Sequence, residues 1–168
     1  GPAVHELFAQ QSFTEISLTL RGATADDAAA LFALDGAIFG SAAYTLMQWR
    51  DELESAATRV VVAESDNNGE AEGFVSAALA GDEFEIRKIG VIAPARRRGI
   101  ARTLLAQVFN RMQAENPTLQ RCLIDVAADN GTAIAFYTKQ GFTEIARRRK
   151  YYMHGADAIV MEKILSVV

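Results

Sequence analysis

Between Phe84 and Met112 the chain changes its hydrophobic period across one short basic turn. Phe84 to Ile92 reads as a strand, and Ala93-Pro94-Ala95-Arg96-Arg97-Arg98-Gly99 breaks the run. Ile100, Leu104, Val108 and Met112 then recur every fourth residue, with Ala101, Leu105 and Phe109 alongside. That spacing gives a helix one wide apolar face. A half-buried strand feeding directly into such a helix packs as adjacent layers, so the expected class is mixed α/β.

The rest of the chain fills in around this unit. Ile16, Leu18 and Leu20 alternate with Ser17 and Thr19 as a strand does. Thr24 is placed to cap a helix with Asp26 and Asp27 in its first turn and Ala28, Leu31, Phe32 and Ile38 on its apolar face. Thr45 is placed to cap another, with Trp49 and Leu53 four apart. Strands are expected over 58–64, 74–79 and 84–92, the first ending in the turn signal Ser65-Asp66-Asn67-Asn68-Gly69 and the other two joined at Gly81-Asp82. Asn116-Pro117 stops the long helix. A buried strand over 122–126, a helix from Asn130 to Gly141, and strands near 143–149 and 157–165 complete the order. Gly1-Pro2 reads as a tag remnant, residues 1–13 as a tail, and 14–168 as a single domain.

Composition narrows the function classes. One cysteine forms no internal disulfide, and two histidines with it supply no structural zinc site, so no metal is expected. No apolar run reaches the roughly 18 residues of a membrane span. The expectation is a cytoplasmic chain with no membrane or nucleic-acid partner, as a monomer or a dimer, and the net charge of −4 agrees. Eight of the 17 basic residues nevertheless fall in two clusters, Arg96 to Arg102 and Arg147 to Lys150, so local anion sites remain open.

The turn before the long helix is one. The first N–H groups of a helix have no partner within it, and the macrodipole adds positive charge there. Gly99 and Ala101 offer little bulk against a phosphate. The alternative is that Arg96, Arg97 and Arg98 form a solvated surface turn. Neither Gly-x-x-x-x-Gly-Lys nor Gly-x-Gly-x-x-Gly is present. Arg96-x-x-Gly99-x-Ala101, following Ile89-x-Val91, resembles the acetyl-CoA signature of the GNAT N-acetyltransferases. The resemblance implies a mixed, mostly antiparallel seven-stranded sheet, splayed between its fourth and fifth strands and flanked by about four helices. It also implies acetyl-CoA as cofactor. Backbone amides of Arg97, Arg98, Gly99, Ile100, Ala101 and Arg102 would hold the coenzyme A pyrophosphate, while Ile89, Gly90 and Val91 pair with the pantetheine.

A second segment resembles the other half-site of the family: strand, Asn130-x-x-Ala133-x-x-x-Tyr137 helix, then Gly141-Phe142. Ala133, Ile134 and Tyr137 share a helix face, so Tyr137 alone reads more readily as a core aromatic. The resemblance makes its hydroxyl the general acid for the leaving thiolate, and makes Asn130 and Ala133 cofactor contacts. Asn130 is also a helix cap. Arg148-Arg149-Lys150-Tyr151-Tyr152 and Asp157-Ala158-Ile159-Val160-Met161 resemble the ending of the RimI-like protein N-terminal acetyltransferases, whose bacterial type acetylates a ribosomal protein's terminal alanine. Residues 39–53 resemble the family's Phe-Pro-Trp-Ser loop and helix, with Gly40 and Tyr44 in place of the proline and tryptophan. The implied partner is a protein or peptide N-terminus, in the bacterial type a ribosomal one, in a slot lined by Phe39, Tyr44, Tyr151 and Tyr152. The tyrosine pair also reads as a simple cover for the sheet end.

Direct acetyl transfer needs a neutral amine, a polarised thioester carbonyl and a proton for the departing sulfur. A backbone N–H at the splayed strands would polarise the carbonyl. Cys122 has no histidine nearby in sequence, which disfavours an acyl-enzyme. The resemblance puts the base at Asp125, with Glu85 the other candidate, and each reads equally as a solvated strand carboxylate. An α-amine titrates near 8 against about 10.4 for lysine, so a terminal amine suits a weak base. A polyamine acceptor would call for carboxylates beside the tyrosines, and Met153-His154-Gly155-Ala156 holds none. The competing readings are transfer to a small amine or amino acid, and a non-catalytic acyl-CoA-binding module.

Overall fold

The computed structural model describes residues 17–152 and 154–165. The expected tail, Ile16 and Met153 lie outside the described residues. The elements run β1 (Leu18–Gly22), α1 (Ala28–Phe39), α2 (Leu46–Glu54), β2 (Thr58–Ser65), β3 (Ala71–Ala80), β4 (Glu83–Val91), α3 (Ile100–Glu115), β5 (Arg121–Ala127), α4 (Gly131–Lys139), β6 (Thr143–Arg148) and β7 (Ala158–Ile164). This is the expected order. The seven strands form one mixed sheet, ordered β1-β2-β3-β4-β5-β7-β6. β4 and β5 are parallel, whereas β1–β2, β5–β7 and β6–β7 are antiparallel. The β4–β5 pairing runs from Glu83↔Arg121 to Ile86↔Ile124, while β4 itself continues to Val91 and β5 to Ala127. Among the described residues no single helix is long and apolar enough to cross a membrane.

The chain divides into two compact units. The first holds residues up to Ser76 together with Lys88–Phe109. Its core is Leu31, Leu34, Trp49, Val60, Val62 and Phe74, with the Trp49 and Phe74 rings meeting edge-on at 5.2 Å. Two expectations about α1 are corrected here. Thr24 opens a 3-10 turn over Ala25–Asp27, and the α-helix starts only at Ala28. The turn tightens because the Asp27 carboxylate accepts from Thr24 N at 2.8 Å and takes a bidentate Arg21 guanidinium at 2.8 and 2.9 Å. Arg21 thereby holds the Asp27 carboxyl below the usual range. Phe32 does not join the apolar face and is 45% exposed, because Leu34 and Asp35 complete the buried stripe with Ala28 and Leu31. Thr45 caps α2 as expected: Gln48 N donates to Thr45 Oγ1 at 3.1 Å, and Thr45 N donates to Gln48 Oε1 at 2.7 Å.

The second unit holds Ala77–Arg87 and the chain from Asn110 onward. β5 alternates: Cys122, Ile124 and Val126 are buried, whereas Leu123 and Asp125 are half-buried. α4 ends where the sequence places its stop. Gly141 sits at φ 97, Gly141 N donates to Thr138 O, and Phe142 N donates to Tyr137 O, the paired bonds of a left-handed glycine terminator.

Candidate active site

In the first unit β4 runs into a 3-10 turn over Ala93–Ala95, followed by Arg96 to Gly99 and the start of α3. Arg97 and Gly99 both occupy the left-handed region, at φ 69 and 78. The Thr103 N–H donates to Gly99 O at 3.0 Å, closing a helical turn. The amides of Ile100, Ala101 and Arg102 therefore precede that bond and have no i−4 acceptor in the helix. A Cβ on Gly99 would touch only the Arg102 guanidinium, at 3.5 Å, so the space over this amide is open. The arginine side chains are less available than the sequence suggests: Arg96 Nε donates to Val91 O at 3.3 Å, and Arg98 pairs with Glu72 at 3.1 Å.

Gly90 has a different reason to lack a side chain. A Cβ there would stand 2.6 Å from Phe39 Cε2 and 3.1 Å from Ile38 Cγ2, so the end of α1 rests directly on the expected pantetheine strand. Next to it, Lys88 Nζ lies 2.9 Å from Asp35 Oδ1 and donates to Ala42 O at 2.9 Å. It sits 4.7 Å from the Phe39 ring centroid and 4.2 Å from that of Tyr44. Asp35, fully buried, also accepts from Tyr44 N at 2.8 Å and Trp49 Nε1 at 2.9 Å. Sequence reasoning picked out Phe39 and Tyr44 and missed both charges that hold them. A signal for Asp35 existed, since 28, 31 and 35 stand at i, i+3 and i+7 on an otherwise apolar stripe.

In the second unit Asn130 caps α4, its Oδ1 accepting from Ala133 N at 3.1 Å. Tyr137 is 6% exposed, with the Phe136 and Phe142 rings edge-on at 5.2 and 5.6 Å. Burial, with Cys122 adding to it, pushes the Tyr137 hydroxyl well above the usual phenol range. The same burial pushes the Cys122 thiol up, so at neutral pH it is not the thiolate that nucleophilic attack requires.

Asp125 belongs to the other face of β5. Its Oδ2 lies 3.8 Å from Arg148 Nη1, whose guanidinium stands 5.4 Å from the Tyr151 ring centroid. Tyr151 meets Tyr152 edge-on at 5.3 Å. Tyr152 is raised by burial first and then by Asp125 and Tyr151. The structure thus gathers Asp125, Arg148, Tyr151 and Tyr152. Glu85 pairs across to Leu123, two residues short of Asp125, and its half-exposed carboxylate lies 3.5 Å from Arg87. Beyond the tyrosines, His154 stacks on Tyr152 at 5.8 Å and its Nε2 lies 3.2 Å from Asp129. The absence of carboxylates beside the tyrosines holds along the chain but not in space, because Asp125 and Asp129 arrive from β5 and the turn after it, each facing a basic side chain.

Comparison with known proteins follows the same lines. The sequence pattern described as "Acetyltransferase (GNAT) family" matches residues 23–142. N-alpha-acetyltransferase RimI of Mycobacterium tuberculosis (strain ATCC 25618 / H37Rv) is 35% identical over 82 residues, 48% of this chain and 49% of that protein, so the chain matches about half the length of that relative. The [Ribosomal protein bS18]-alanine N-acetyltransferase of Escherichia coli (strain K12) is 30% identical over 103 residues, 60% of this chain and 68% of that one. The crystal structure of the ribosomal-protein-S18-alanine N-acetyltransferase from Escherichia coli superimposes with a TM-score of 0.80 at 23% identity, covering 90% of this chain and 96% of the other, a likeness of fold.

Proposed function

Because the chain belongs to the GNAT acetyltransferase family, we propose that it transfers the acetyl group of acetyl-CoA to the α-amine of a protein or peptide N-terminus. What supports this reading most is the division of labour across β5 in the second unit. Tyr137, kept protonated by burial, approaches the face that holds Cys122, while Asp125 lies on the opposite face with Arg148 and the tyrosine pair. Asp125 accepts the proton of the attacking amine on its face. The amine nitrogen bonds to the acetyl carbon, the carbon–sulfur bond breaks, and Tyr137 gives its proton to the departing thiolate from the other. Burial of Cys122 leaves a direct transfer rather than an acyl-enzyme.

The residues present fit acetyl-CoA. Left-handed conformations at Arg97 and Gly99 turn main-chain N–H groups into a concavity suited to a pyrophosphate, the open amides of Ile100, Ala101 and Arg102 extend it, and Arg96 and Arg98 brace the turn. Ile89 and Val91 offer main-chain groups to the pantetheine, and Asn130 and Ala133 at the start of α4 add contacts. Phe39 and Tyr44 in the first unit, and Tyr151 and Tyr152 in the second, contact the acceptor. Asp129, 3.2 Å from the His154 ring that stacks on Tyr152, favours a second reading, transfer to a small cationic amine.

Mass spectrometry after incubation with acetyl-CoA separates the two. The chain is offered an N-terminal peptide, an N-terminally blocked lysine peptide, spermidine and free amino acids. Acetylation of the peptide α-amine is expected. Efficient acetylation of spermidine or an amino acid with every peptide untouched would overturn the N-terminal acceptor, and no acetylation at all would leave a binding module.

A further inference from the structure

We propose that Lys88 is a positioning residue for the acceptor: its ammonium, held by Asp35 and the Ala42 carbonyl beneath the Phe39 and Tyr44 rings, fixes the loop that meets the incoming amine. The inference rests on the reading of Phe39 and Tyr44 as acceptor contacts. Its grounds lie wholly within the first unit. The Lys88 side chain is 10% exposed and its partner not at all, so this is not a surface ion pair of negligible weight. It ties together Phe39 at the end of α1, Ala42 and Tyr44 in the loop, and Trp49 in α2. Asp35 takes the Tyr44 amide and the Trp49 indole, and Lys88 takes the Ala42 carbonyl and both rings. Phe39 is held from beneath as well, by the space that Gly90 leaves.

A carboxylate and a carbonyl oxygen with two aromatic faces form a receptor for a primary ammonium, and here the chain fills it with its own lysine. Two things follow. An acceptor's cationic side chain finds that receptor taken, and removal of the lysine leaves a cavity shaped for the missing piece. Nothing in the mechanism draws on Lys88, so its removal acts on how the acceptor is held and not on the chemical step.

The test uses Lys88→Ala and n-propylammonium, the fragment that substitution deletes, with n-propanol as the uncharged control. Trp49 is the chain's single tryptophan and bonds to Asp35, so its fluorescence reports the cluster without reference to turnover. Lys88→Ala is expected to raise the peptide KM about tenfold with kcat within about twofold, to leave acetyl-CoA affinity unchanged, and to shift Trp49 emission. Millimolar n-propylammonium restores both the emission and the KM, and n-propanol restores neither. Should Lys88→Ala fail to fold, the Asp35→Asn/Lys88→Met pair, which leaves no charge buried alone, is expected to show the same KM-specific loss. An unchanged KM in a folded variant whose Trp49 emission has moved would overturn the proposal, and so would a parallel loss of acetyl-CoA affinity. If the wild-type chain acetylates a small amine instead of a peptide, the proposed acceptor fails on its own, and the same split is read with that amine.

Discussion

At the scale of single residues, the clearest chemistry belongs to Tyr137, a phenol that its surroundings keep protonated. The Tyr137→Phe variant is expected to lower kcat by about 100- to 10,000-fold, the range of a lost general acid, while calorimetry finds acetyl-CoA affinity unchanged. Undiminished turnover would return Tyr137 to the core, where its rings with Phe136 and Phe142 already justify it. Tyr137 was legible because its partners Ala133 and Ile134 lie within one helical turn. Asp125 was legible through its place in the strand before Asn130, but its neighbours Arg148 and Tyr152 were not, since β6 and the segment after it reach it only through β7 pairing. Lys88 carried no local signal at all: the carbonyl it donates to lies 46 residues away. Phe32 misled for the opposite reason, because an apolar residue next to a buried stripe looks the same in sequence as one within it.

For elements, the cofactor cradle proposed at the start of α3 carries the sharpest expectation. Arg96 is tied to Val91 O and Arg98 to Glu72, so on the proposed reading main-chain amides rather than these guanidinium groups would carry the phosphate contact. Gly99→Glu combines a side chain at φ 78 with a negative charge at the amide row, and is expected to weaken acetyl-CoA binding by about 100-fold or more, against less than about tenfold for Arg96→Ala. Equal small losses in calorimetry would refute the backbone cradle. The order of strands and helices was readable from alternating and four-residue periods, whereas the ends were less so. α1 begins four residues after Thr24 because the Arg21–Asp27 bidentate pair holds a 3-10 turn in front of it, and that pair links positions six apart with no periodic trace.

On the scale of the whole molecule, two of the groups that burial raises, Cys122 and Tyr137, bear on stability at alkaline pH. Cys122 and Tyr137 keep their protons in the folded chain at pH values where the unfolded chain loses them. Their contribution is whole below the unfolded values of about 8.5 and 10 and falls as pH rises past each. Melting temperatures between pH 7 and 10.5 are expected to drop more steeply above pH 8.5 in the wild type than in Cys122→Val, and equal slopes would remove the thiol from this account. The seat of Phe39 on Gly90 reaches further still, into how such a sequence drifts over time. One added methyl at position 90 leaves no room for the ring, and a smaller side chain at position 39 leaves a hole where the ring was. The two positions are therefore free to change only together, so the strand expected to meet the cofactor and the loop expected to meet the acceptor inherit a shared history. Descendants that swap one acceptor for another by remodelling residue 39 should carry the record of it at residue 90.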